Sequence, residues 1–256
     1  MKKILTRILI VVLCLVAVLY TVLTVSIASV AILSASSCTN STFFIDLSEY
    51  GVASYNVVWT ECNKKIKSRF IGDDLSSRVY YRIENVPVDQ YIACKWRNAG
   101  LGTVEFPVLM QHKDYEGNLE LDTSSAKLYL GVSGLDFSDD NWQNCGQQIM
   151  KKKVAQIDSA IAEDIAKAIN TELLEYDDVK QILLDSKDYL RNADNDYLYL
   201  VFSLKEYNNL FWVAHIIEVD GNYLLEIKED LTSRCYLLCS DEFTFVIDEL
   251  RPQYGI

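Results

Sequence analysis

Residues 197–228 read YLYLVFSLKEYNNLFWVAHIIEVDGNYLLEIK, and three stretches of the segment, 197–204, 211–219 and 223–227, are dominated by aliphatic, β-branched and aromatic side chains. Short runs of that composition, separated by polar residues, favour extended chain packed into a sheet. The last two runs are joined by Asp220-Gly221-Asn222. Glycine supplies the positive φ that a tight hairpin needs, so these runs are expected to pair as antiparallel neighbours. Residues 235–239 and 243–247 have the same character and extend the expected strands into one C-terminal antiparallel meander.

Upstream of the meander the apolar period changes from two to about 3.6. Val154, Ile157, Ile161, Ile165, Ile169 and Leu173 form one stripe, with Lys151 to Lys153, Asp158, Glu163 and Asp164 off it, which predicts a long helix after Cys145. A second helix is expected to begin at Asp177-Asp178, which can cap it, and to carry Val179, Ile182, Leu183, Ser186, Tyr189 and Leu190 on one face. Asn192 to Asp196 ends it. Before the helices the pattern is again that of strands: 79–83 and 91–96 across a turn at Asn85 to Asp89, then 104–110 and 128–132. Residues 52–70 read both ways, because Val57-Val58-Trp59 favours strand while Cys62 to Arg69 accepts a helix.

The expected class is therefore α+β: an N-terminal single transmembrane helix, an antiparallel β-rich segment, two central amphipathic helices and a C-terminal antiparallel β-meander. The corresponding divisions are 1–33 (basic stub and membrane anchor or signal), 34–42 (tether), 43–144 (β-rich domain) and 145–256 (helix-helix-meander domain). A faint internal repeat accompanies this division. An offset of 121 lays Tyr81, Ile83, Tyr91, Ile92, Ala93 and Gly100 over Phe202, Leu204, Trp212, Val213, Ala214 and Gly221.

The membrane reading comes from the first 38 residues. Lys2, Lys3 and Arg7 precede 26 residues, 8–33, that contain no charge. About 20 residues at 1.5 Å rise cross a hydrocarbon core of about 30 Å, so this run is long enough to span. The leading cations stay in the cytoplasm, which puts the amino terminus inside and the remainder outside a single-pass cell membrane protein. Retention as an anchor is the reading adopted, since a secretory signal core has only about 7–15 apolar residues. Ala35-Ser36-Ser37-Cys38 nevertheless resembles the lipobox of bacterial lipoproteins, which would make Cys38 a lipidation site. The departures are Ala35 in place of the usual Leu and the length of the apolar run. Simple cleavage after Ser37 is the third reading. Asn40-Ser41-Thr42 is a glycosylation acceptor in a eukaryotic host.

The whole chain of 256 residues has a net charge of −12, and since three of its 24 basic residues and none of its 36 acids precede Cys38, residues 39–256 carry −15. A surface of that sign excludes nucleic acid as a partner and favours cationic ones. Five cysteines follow Cys38, at 62, 94, 145, 235 and 239. Export permits disulfides, and Cys62 with Cys94, which fall in the same division, is the candidate pair. Cys235 and Cys239 lie about 13 Å apart along one strand face and cannot bond to each other.

Signatures of chemistry are sparse. The chain has no P-loop, G-x-G-x-x-G, G-x-S-x-G or H-E-x-x-H motif. Only His112 and His215 are available for imidazole chemistry; His215 reads as a half-buried strand residue, and a Cys94, His112 and Asp114 nucleophile is arithmetically open but has no supporting local signature. The acidic loops Asp136 to Trp142 and Asn192 to Asp196 resemble the opening of a calcium loop but lack its central Gly and terminal Glu, and read as turns. No catalytic, metal-binding or cofactor-binding residue is therefore assigned, and no cofactor is expected. The 16 tyrosines concentrate in strands, where an exposed set could receive a peptide or sugar but most are expected to pack in cross-strand pairs.

These readings lead to an expected membrane-anchored extracytoplasmic protein, a non-enzymatic binding or interaction module. Its expected partners are the lipid bilayer through residues 8–33 and a protein, peptide or cell-envelope ligand. The competing classes are an extracytoplasmic hydrolase working through carboxylates or a cysteine, and an inhibitor or immunity-type protein.

Overall fold

The computed structural model describes residues 44–65, 67–68, 78–98, 104–132, 142–175, 179, 188–229 and 233–256. The membrane segment expected over 8–33, the tether and Cys38 lie outside the described residues. A compact unit begins at Phe44 and runs to Ile256.

Most of this unit is antiparallel sheet. A five-stranded sheet contains β2 (Tyr50–Ser54), β4 (Cys62–Lys65), β6 (Arg78–Ile83), β7 (Tyr91–Asn98) and β8 (Val104–His112), in the order β2-β8-β7-β6-β4. Two short segments, β1 (Phe44–Ile45) and β5 (Lys67–Ser68), pair in parallel with each other. A nine-stranded sheet takes β3 (Val57–Trp59), β9 (Leu121–Gly131), β10 (Lys152–Gln156), β11 (Leu174–Glu175), β12 (Asp188–Tyr189), β13 (Tyr197–Leu204), β14 (Leu210–Val219), β15 (Asn222–Lys228) and β16 (Arg234–Leu238). Its main path is β10-β9-β13-β14-β15-β16-β11.

The strand β14 is the spine of the large sheet. One of its edges is shared by β13, opposite Phe211 to His215, and β12, opposite Ile217 and Glu218. The other is shared by β3, opposite Leu210 to Trp212, and β15, opposite His215 to Val219. Where β3 gives way to β15, Asn56 fills the gap. Its carbonyl accepts from Val213 N at 2.8 Å, and its side-chain amide both donates to Lys228 O and accepts from Lys228 N, each at 2.8 Å. One asparagine thus imitates a strand residue and ties β14 to β15.

The hairpin between β14 and β15 forms as its residues dictate. Asp220 and Gly221 have φ of 50° and 78°, the pair of positive values of a type I′ turn, and Val219 stands opposite Asn222. One face of the large sheet, with Leu200, Phe202, Ala214, Ile216 and Leu225, packs in the main core with residues of α2 (Ser159–Ala168) and α3 (Asp241–Tyr254). Asp158 caps α2 by accepting from Ala160 N, and Ser240 caps α3 by accepting from Phe243 N.

Several expectations are corrected by these elements. The long helix expected after Cys145 is replaced by the short α1 (Cys145–Ile149), then β10, then α2. Val154 therefore belongs to a strand paired with β9, whose backbone bonds override the helical period, and of the stripe only Ile161 and Ile165 are in a helix, with Ile169 capping its end. Most of the second expected helix lies outside the described residues; Val179 is helical, and its expected last turn is instead β12. Residues 243–247 are helix, not strand. Phe243 and Ile247 are buried one turn apart while Phe245 is 62% exposed, so the alternation read there is the inside and outside of α3.

The division at 144/145 crosses the large sheet, since β3 and β9 lie before it and pair with β14 and β13 behind it. The offset of 121 lays β6 and β7 over β13 and β14, but the registers differ: Tyr81 faces Ala93, whereas Phe202 faces Trp212 rather than Ala214.

Asn56→Ala removes the partners of both the N–H and the C=O of Lys228 on β15. Each orphaned group costs about 1–3 kcal/mol. Urea unfolding of the full chain in mild detergent is expected to show a midpoint lowered accordingly with an unchanged slope, and an unaltered midpoint would contradict the clamp.

Candidate functional site

On the face of the large sheet away from α2 and α3, strand register lines up four polar side chains. Tyr199 of β13 stands opposite His215 of β14, His215 opposite Glu226 of β15, and Glu226 opposite Tyr236 of β16. All four are buried, His215 at 7% and Glu226 at 6% exposure. Burying such groups is tolerable only when they satisfy one another, and they do. Tyr199 Oη lies 2.8 Å from His215 Nε2 and donates to Val132 O at 2.8 Å. His215 Nδ1 faces Glu226 Oε2 at 3.6 Å. Tyr189, brought in by β12, donates to the Glu226 carboxylate, with its Oη 3.3 and 3.1 Å from the two oxygens, and Tyr236 Oη is 3.5 Å from Oε1. The rings of Tyr189 and Tyr197 meet the imidazole edgewise at 5.4 and 5.8 Å.

Two residues beyond Glu226, on the same face, lies Lys228, whose backbone Asn56 holds. Burial, with the charge of Arg234, depresses the Lys228 ammonium to about 8, against the opposing pull of Glu226. Burial and the neighbouring Glu226 carboxylate push the Tyr189 phenol well above its usual range. A small cavity touches Asn56, Tyr199, His215, Glu226 and Lys228 and is walled by apolar groups including Val58. Its space suits about one water molecule. The arrangement can hold and relay a proton, and it joins four strands.

A second polar cluster ties the small sheet to the loop between β13 and β14. Tyr115 Oη donates to Glu206, 2.9 Å from each oxygen, and Tyr207 Oη contacts Glu206 Oε1 at 3.2 Å and donates to Gln90 Oε1. Tyr91 stands edge-on to both rings, at 5.3 and 5.6 Å, and burial pushes its phenol up to about 12. Tyrosine thus serves as internal bridging material. None of the described tyrosines is exposed, so no exposed tyrosine face is found among the described residues.

The residues singled out from the sequence fall as follows. Cys62 and Cys94 are not joined to each other. They point to opposite faces of the small sheet, Cys62 into the main core with Ile83 and Ala93, Cys94 into a separate cluster with Val108 and Met110, so the expected pairing is not formed. Cys94 sits opposite Val108, and His112 lies four residues farther along β8, about 13 Å away at about 3.3 Å per residue. Asp114 meets His112 through its backbone N–H, 3.2 Å from Nδ1, while Nε2 faces Glu49 at 3.3 Å. The Cys94, His112 and Asp114 arrangement is therefore not assembled.

Burial pushes the Cys62 thiol up and that of Cys145 to about 12, which leaves both as unreactive thiols. In the loop Asn192 to Asp196, Asn192 Oδ1 accepts from Asp194 N and Asp196 N, and the Asp196 carboxylate pairs with Lys151 at 3.0 Å. It is a turn, as read. The loop from Asp136 lies largely outside the described residues, and no group of three or more metal-ligating side chains occurs among those described.

His215 is a strand residue, as the sequence suggested, but buried rather than half-buried. Glu226 was missed, although a two-residue turn at Asp220-Gly221 places it opposite His215 by counting outward from Val219 and Asn222. No family model, curated protein or solved structure matches this chain.

The depressed Lys228 sets a pH dependence. An unfolded lysine binds its proton up to about pH 10.4 and the folded one only to about 8, so the unfolded state holds more protons between these values and stability rises with pH there. Lys228→Met is expected to be more stable than the parent below about pH 8, with the gap closing by about pH 10.4. Thermal unfolding of both proteins across this range checks it; a variant less stable at neutral pH, by an amount that pH does not change, would contradict the assignment.

Proposed function

We propose that the chain is a single-pass, membrane-tethered binding module whose unit from Phe44 to Ile256 stands outside the cell membrane and recognises a protein, peptide or cell-envelope component. The observation that carries the reading is the uncharged run 8–33 behind Lys2, Lys3 and Arg7, followed after a short polar stretch by a compact unit that begins at Phe44. The net charge of −15 after Cys38 favours a cationic partner. The interior supports binding over chemistry: His215, Glu226 and the buried tyrosines are engaged in joining strands, and the cavity beside them suits about one water molecule.

Topology is the first test. In a chain whose Cys38 and Cys239 are replaced by serine, a cysteine introduced at Glu163, exposed on α2, is expected to react on intact cells with a maleimide that cannot cross membranes, well above the labelling of the same chain without it. Protection of that residue until the cells are lysed would overturn the external placement. In a second arm, the detergent-solubilised full chain is expected to retain a cationic envelope component that rising salt releases; repeated failure to retain any would overturn the binding role.

A further inference from the structure

Cys62 opens β4, the edge strand of the small sheet, and stands opposite Ile83 of β6. Cys145 opens α1. They lie in distant parts of the sequence, yet packing brings their elements to one place. The turn Trp142–Asn144, which runs directly into Cys145, packs on β4, with Cα atoms of the two coming within 8 Å. In turn α1 packs on β3, so closely that a side chain added at Gly146 would stand 2.8 Å from Trp59 O. Trp59, at the end of β3, touches both cysteines: its carbonyl accepts from Cys145 Sγ at 3.8 Å, and its side chain reaches the Cys62 thiol. Both cysteine side chains are buried in the main core, near enough that a charge on Cys145 acts on Cys62. Cys94 is excluded from this place, because it lies in the separate cluster on the other face of the small sheet.

We propose that Cys62 and Cys145 are a disulfide pair that fastens the edge strand β4 to α1. The pairing follows from the packing; its formation in cells rests on the external placement proposed above. The oxidant is a small-molecule disulfide, such as oxidised glutathione. One chain thiolate attacks a sulfur of that disulfide, giving a mixed disulfide and one glutathione thiolate. The second chain thiolate attacks the chain-side sulfur and expels the other glutathione. One S–S bond breaks and one forms, the two chain thiols are oxidised as glutathione disulfide is reduced, and the two protons end on the released glutathiones. Exchange precedes burial, because burial pushes both thiols up and withdraws the attacking thiolates. The finished bond closes a long loop in the unfolded chain, which lowers the entropy gained on unfolding and so stabilises the unit.

Peptide mapping of the full chain tests the pairing. The chain is unfolded and reduced, refolded in mild detergent with reduced and oxidised glutathione, and its remaining thiols are alkylated. Chymotrypsin cuts after aromatic residues, so cleavage at Trp59 and Tyr91 separates Cys62 from Cys38 and from Cys94. A peptide pair joining Cys62 to Cys145 is expected. Alkylation of both cysteines in the refolded chain, or a bond from either one to a different cysteine, would overturn the proposal. The oxidised parent is also expected to melt roughly 5–15 °C above the reduced parent, a gap that Cys145→Ser abolishes. Equal midpoints for the two forms of the parent would contradict the fastening. The same map of chain taken from cells whose thiols are blocked before lysis reads the compartment: a bond formed on refolding but absent there would overturn the external placement and leave the pairing standing.

Discussion

The fold depends on burying most of β14. Its backbone runs through the middle of the large sheet, and most of its side chains are inaccessible on both faces. Every peptide group placed there must find a partner within the protein, because water cannot reach it. The solution is to divide each edge between two strands, β13 with β12 on one side and β3 with β15 on the other. Asn56 closes the remaining gap, its backbone carbonyl accepting from Val213 N and its side-chain amide holding Lys228. This requirement also explains why residues far apart in sequence form one unit: β3, near the start of the described chain, completes a strand that lies beyond residue 209.

The same requirement shapes the polar interior. A side chain emerging from the buried strand toward the face away from α2 and α3 meets others at the same level on β13, β15 and β16, and at one level all of these are polar. Tyr199, His215, Glu226 and Tyr236 answer each other's hydrogen bonds, with Tyr189 added from β12. Such a network is stabilising only when complete, and it fixes strand register because a slip of one residue would turn each polar group toward the apolar face. The described tyrosines pack inside the unit, as expected of most tyrosines in strands: a phenol combines a large apolar ring with one hydrogen-bonding tip, which suits a crowded interior.

How much of this was legible varied with the kind of signal. Strands with local turns were plain, and the β14–β15 hairpin followed from Asp220-Gly221 alone. Pairings between distant segments were not, since nothing near Val57 to Trp59 announces β14 as its partner. Two of the misread elements failed because short apolar runs satisfy both periods. Phe243 to Ile247 alternates as a strand does, yet Ser240 caps a helix there, and Val154 to Ile157 continues a helical stripe although β9 offers it a sheet edge. For the candidate site, the His215–Glu226 contact could have been counted from the turn, whereas Tyr199 could not, because the loop between β13 and β14 has no residue that fixes register.

If β14 is the element on which the sheet depends, its amides should open only when the whole unit unfolds. Native-state hydrogen exchange at increasing denaturant measures this directly. The account predicts that the amides of Val213 to Val219 are the slowest in the unit and share the free energy of global unfolding. Exchange of those amides through a smaller opening, at lower free energy than the amides of β7 and β8, would contradict it.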